Sequence, residues 1–138
     1  MNKVKEEMIK IYNTYTMDWM NYLIIDEELT YHHIKKVEEE GKTTLDNGAL
    51  LTNRAHEYLH KIERLDKDIY NKINNVFKEI NTSKQEPTKE QRLIIDLLLY
   101  EFELRNVNKI IKKKANIGKK RHFLVHQKRI DSQLGKIN

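Results

Sequence analysis

The chain of 138 residues contains no cysteine. Disulfide frameworks and thiolate zinc sites are therefore excluded, and any metal has to be held by nitrogen and oxygen. There is one proline and there are four glycines, so no Pro/Gly-rich linker divides the chain, and no internal repeat is visible. No apolar run approaches the roughly 20 residues that a membrane-spanning helix needs. The longest, around residue 95, is interrupted by Asp96. The first residues, MNKVKEEMIKIY, lack the apolar core and small-residue cleavage site of a secretory leader. A cytoplasmic protein with no membrane partner is expected. The length suits one domain that buries its own core, so residues 1–138 are expected to form a single domain.

Charge is present in quantity but unevenly placed. The net charge is +5. Residues 1–104 carry 15 Lys/Arg and 20 Asp/Glu, a balance of −5, whereas residues 105–138 carry 11 Lys/Arg and one Asp, a balance of +10. A basic block attached to a mildly acidic body suggests a polyanion as partner.

Hydrophobic spacing predicts a mainly helical chain with a small β-hairpin. Val4, Met8 and Ile11 mark a first helix. Residues 14–25 read as irregular structure with Trp19 and Tyr22 packed inward. Short strands are expected at residues 31–36 and 49–52, joined by a loop that carries Gly41, Asp46 and Asn47. Asn53 reads as a helix N-cap, with His56, Leu59 and Ile62 on one side of the helix that follows. A second helical stripe covers residues 66–80. Thr88, with Gln91 three residues on, reads as the capping box of a third long helix. That helix is expected to reach Lys114 and to end at Asn116 and Gly118.

Histidine is concentrated in one window. Four of the six histidines fall within 29 residues: His32-His33, then His56 and His60, with Asn47 between the pairs. On a strand, His32 and His33 point to opposite faces, so one can be a ligand while the other is a base. On a helix, His56 and His60 stand at i and i+4 on one face, a natural two-point chelate. One strand histidine added to that pair brings three imidazoles to one cation and leaves positions open for water and phosphate. Such an open site is the mark of catalytic metal centres. His122 and His126 repeat the i, i+4 spacing without matching partners nearby and read as part of the basic tail. The run Glu38-Glu39-Glu40 reads as a solvated turn. Asn-Gly at 47–48 is also a plain turn signal.

The text TYHHIKK…LDNGALLTNRAHEYLHKIE resembles the HNH, or ββα-metal, nuclease superfamily over residues 29–64. The form is similar to that of the DNase colicins and of small phage and prophage HNH proteins. That resemblance implies a ββα-metal element embedded in a helical domain, with helical support from residues 65–115 and a basic DNA-binding segment at 105–138. It implies that His33 is the general base, that His32, His56 and His60 hold the metal, and that Asn47 ties the loop together and orients His33 by a side-chain hydrogen bond. The products implied are 5′-phosphate and 3′-hydroxyl ends. The chain departs from many such proteins in having no CxxC zinc knuckles, and in having His32 where many have Asp. Three nitrogen ligands shift the metal preference toward zinc, nickel or manganese and away from magnesium.

The expected function is therefore a metal-dependent DNA endonuclease with one divalent metal ion. Lys112, Lys113, Lys114, Lys119, Lys120, Arg121, Lys128 and Arg129 are expected to contact the phosphate backbone of double-stranded DNA. No recognition-helix pattern promises base readout. One site of this kind cuts one strand per event, and a homodimer is one arrangement that supplies a second. The rival expectation is a non-catalytic DNA-binding or protein-interaction module of a mobile element that keeps the same shape.

Overall fold

A computed structural model describes residues 2–122. It is mainly helical with one two-stranded antiparallel sheet, in the order α1 (Lys3–Tyr12), β1 (Thr30–His33), β2 (Gly48–Leu51), α2 (Asn53–Leu65), α3 (Lys67–Ser83) and α4 (Lys89–His122). A single 3-10 turn, Val37–Glu39, lies in the loop between the strands. The chain divides into two compact units, Met1–Phe102 and Glu103–Asn138. The first holds the core. Of the second, the described part is the C-terminal stretch of α4, where Lys112, Lys113 and Lys114 are exposed.

Asn2 caps α1 by accepting a hydrogen bond from Val4 N, and Asn13 closes it in the left-handed conformation. Met8 and Tyr12, at i and i+4, are its buried residues. The irregular segment after α1 is pinned by Asp18. Its carboxylate accepts hydrogen bonds from the backbone of Met20 and Tyr22, and from both the backbone and the hydroxyl of Thr52. Burial pushes the Asp18 carboxyl up, and those donors pull against the shift. Trp19, expected inside, is buried against Tyr12 and Phe77, whereas Tyr22 is only partly buried.

Strand β1 is shorter than expected, and β2 keeps its expected length but begins one residue earlier. They pair from Thr30 opposite Leu51 to His33 opposite Gly48. Strand β1 stops at His33 because the next residues enter the loop organised by Asn47. Helix α2 is capped by Thr52 rather than by Asn53: the Thr52 hydroxyl accepts from Ala55 N at 3.2 Å and donates to Asp18. Ala55, Leu59 and Ile62 bury themselves in the core. His56 belongs with His60 and Glu63 on the adjoining face, not with that apolar row. Helix α3 repeats the pattern, burying Ile69, Ile73 and Phe77 while Tyr70 and Asn74 sit one residue round from that row.

The Thr88–Gln91 capping box forms in full, with Thr88 N donating to Gln91 Oε1 and Gln91 N to Thr88 Oγ1. Helix α4 does not stop near Lys114 but continues to His122. Lys and Ala in residues 112–115 are good helix formers, and neither Asn116 nor Gly118 is costly enough to break a helix already propagating. No helix among the described residues is long and apolar enough to cross a membrane.

Candidate functional site

The sheet pairing and one face of α2 bring His32, His33, His56 and His60 to one cavity. It measures about 590 Å3, and its wall also includes Tyr31, Lys36, Glu38, Glu39, Glu63 and Tyr70. The four histidines singled out in the sequence are therefore together, although they come from two elements. The His32 and His56 ring centroids are 5.5 Å apart, and those of His56 and His60 are 4.7 Å apart in a near-parallel stack.

Each ring has one nitrogen engaged by an oxygen. His32 is 3% exposed, and its Nε2 lies 2.8 Å from Asn74 Oδ1. His56 Nδ1 lies 2.8 Å from Thr30 Oγ1. His60 is exposed, and its Nδ1 makes a long contact of 3.5 Å with Glu63 Oε1. Glu63 is ion-paired to Lys36. Burial acts against ionisation of Glu63, but the hydrogen bonds and charges of Lys36 and His60 hold its carboxyl below the usual value.

Burial lowers His32 to about 4 against the weaker pull of Asn74, and the neighbouring histidines add to the lowering. His56 is lowered by burial and then by the charges of His60 and His33. Both rings are thus held in the neutral form, which is the form that binds metals. With His60, these imidazoles form a nitrogen donor set suited to a borderline-soft divalent cation. Among the described residues, no three His, Asp or Glu groups already converge in coordination geometry. The donor chemistry fits a metal, and His60, with its long contact to Glu63, is the ring that would have to turn to complete a set of three.

His33 lies on the other face of β1. It packs edge-on against Tyr31 at 4.7 Å, and its Nε2 is 2.8 Å from Thr43 Oγ1. Asn47 ties the loop together as expected. Its Oδ1 accepts from Lys35 N, its Nδ2 donates to the carbonyls of Lys35 and Lys42, and its own carbonyl accepts from Ile34 N. It makes no hydrogen bond to His33; Thr43 takes that place, because the whole Asn47 amide is consumed by loop backbone. Glu38 and Glu39 are exposed on the 3-10 turn, as expected, and both also stand at the cavity wall.

Thr30, Thr43, Glu63, Tyr70 and Asn74 were not singled out in the sequence. Thr43 had a signal, its place in the short loop beside the His-His pair. Asn74 had none, since nothing local separates it from Asn71, Asn75 or Asn81. Of the basic residues, Lys112, Lys113 and Lys114 lie exposed on α4. Lys119, Lys120 and Arg121 lie on the same helix. Lys128, Arg129 and His126 lie outside the described residues. No family model, curated protein or solved structure matches this chain.

Proposed function

We propose that the chain is a metal-dependent DNA endonuclease of the HNH kind that its residues 29–64 resemble. One observation carries this reading. Three imidazoles, each tied through one nitrogen to an oxygen, share a cavity with a fourth histidine on the opposite strand face. His32, His56 and His60 hold the cation. When bound, a divalent cation supplies charge stabilisation for the phosphoryl oxygen and the leaving 3′ oxygen. His33 Nε2 is engaged by Thr43 Oγ1, which leaves Nδ1, in the Nε2–H tautomer, as the atom that takes the proton from the attacking water. Asn47 keeps the loop that carries Thr43 in place. Lys112, Lys113 and Lys114, with the basic residues that follow, supply salt-sensitive contacts to double-stranded DNA.

Glu38 and Glu39 in the cavity wall favour one rival, a module that keeps the shape and binds a partner other than a polyanion. Supercoiled plasmid separates the two readings. Purified protein is incubated with it in zinc, nickel, manganese or magnesium, and in chelator. Metal-dependent nicking or linearisation that chelator abolishes is the expected result. Intact plasmid with every metal would overturn the endonuclease.

A further inference from the structure

Thr30 and Asn74 stand behind the histidines rather than in the cavity wall. The Thr30 hydroxyl donates its only proton to the Leu51 carbonyl at 2.9 Å. Its oxygen can then only accept at His56 Nδ1, 2.8 Å away. His56 is therefore the Nδ1–H tautomer, and its lone pair sits on Nε2. On His32 the order is reversed. Asn74 Oδ1 is an acceptor 2.8 Å from Nε2, so the proton is on Nε2 and the lone pair is on Nδ1. Among the described residues, neither lone-pair nitrogen is given a hydrogen-bond donor.

We propose that Thr30 and Asn74 are positioning residues that fix opposite tautomers on two metal ligands, so that His32 binds a divalent cation through Nδ1 and His56 through Nε2. This rests on the metal-site reading above and extends it. The outer partner of a ligating imidazole sets both ring orientation and basicity. Here the two partners come from different places. Thr30 is set by strand pairing, because the carbonyl it donates to belongs to Leu51, its partner across the sheet. Asn74 comes from α3, outside residues 29–64, so the strand–strand–helix segment does not complete its own site. His60, stacked on His56 and held at Nδ1 by the long contact to Glu63, is the adjustable third ligand.

The test uses the full chain. Long-range 1H–15N spectra of metal-free protein read the tautomers directly. Nε2–H on His32 and Nδ1–H on His56 are expected; the reverse on either ring overturns the proposal, whatever the protein does with metal. Calorimetric titration with zinc alone then compares Thr30→Val, Thr30→Ser and Asn74→Leu with wild type. Thr30→Val and Asn74→Leu are expected to weaken zinc binding by about 10- to 100-fold, with Thr30→Ser restoring it. Zinc bound by wild type and by Thr30→Val and Asn74→Leu within threefold would overturn the positioning role while leaving the metal site standing. Wild type that holds the expected tautomers but binds no zinc, nickel or manganese would overturn the metal-site reading and the positioning role with it. If Thr30→Val fails to fold by circular dichroism, Asn74→Leu and the wild-type tautomers still decide.

Discussion

On one side of β1, Thr30 and His32 are held by partners far along the chain, His56 on α2 and Asn74 on α3. On the other side, Tyr31 and His33 are held by the loop that follows at once, through Thr44 and Thr43. On the first side His32 is buried, among His56, Tyr70 and Phe77. The second is half-open, with His33 only partly buried. Alternation along a strand makes this division possible, since adjacent residues face opposite ways. A buried, neutral, hydrogen-bonded imidazole suits a ligand. A partly solvated one held through one nitrogen by a hydroxyl suits a base. Two consecutive histidines thus acquire different chemistry from four consecutive residues of strand.

The comparison breaks most sharply under truncation of one histidine on each side. His33→Ala is expected to lower plasmid cleavage by about 10²- to 10⁴-fold, roughly 3–5 kcal/mol of barrier, with zinc affinity kept. His56→Ala is expected to lose zinc binding and cleavage together. Cleavage rate and calorimetric affinity measured on both variants decide the matter. Equal loss of affinity in the two would mean that the sides of β1 do not differ in role.

Acid separates the sides next. His32 is lowered to about 4 by burial, from an ordinary value of 6.5. The unfolded chain therefore binds a proton that the folded protein refuses. The stability this costs is absent above pH 6.5, grows as pH falls, and is complete near pH 4. It amounts to roughly 3 kcal/mol for one fully buried group. Urea unfolding in chelator at pH 7 and at pH 4.5, for wild type and His32→Phe, isolates it. The variant is expected to lose much less stability between the two pH values. An identical loss in both would show that His32 is not the group refusing the proton.

The two sides also differed in how far the sequence revealed them. The motif histidines were legible because i, i+4 on a helix and adjacency on a strand are local facts. Loop closure by Asn47 came from the resemblance, and its bonds do stay within twelve residues. Its expected bond to His33 was not made, because which donor reaches an imidazole depends on loop geometry that spacing does not encode. Thr30 and Asn74 were invisible: their roles follow from register with Leu51 and from how α3 packs, both long-range. Capping followed the same rule. Thr88 was read correctly from a local box, whereas Thr52 was missed because Asp18, 34 residues earlier, makes it the cap. The end of α4 was placed too early because a weak breaker in a strong helix changes little.

The smallest expected effect lies on the loop side, where Gly48 faces Tyr31. A Cβ at this position would stand 2.3 Å from Tyr31 Cε2 and 2.7 Å from Cζ. The ring cannot simply swing away, because its hydroxyl donates to the Thr44 carbonyl at 2.7 Å and accepts from Thr44 N at 3.1 Å. Gly48→Ala is therefore expected to destabilise the protein by about 1–3 kcal/mol, the usual cost of overpacking. The clash lies on the His33 side and leaves the Thr30 and Asn74 contacts untouched. Cleavage is then expected to fall with zinc affinity unchanged, since His33 packs directly on the displaced ring. Loss of zinc binding in Gly48→Ala would mean that strain crosses the strand, and that the two sides are one mechanical unit rather than two.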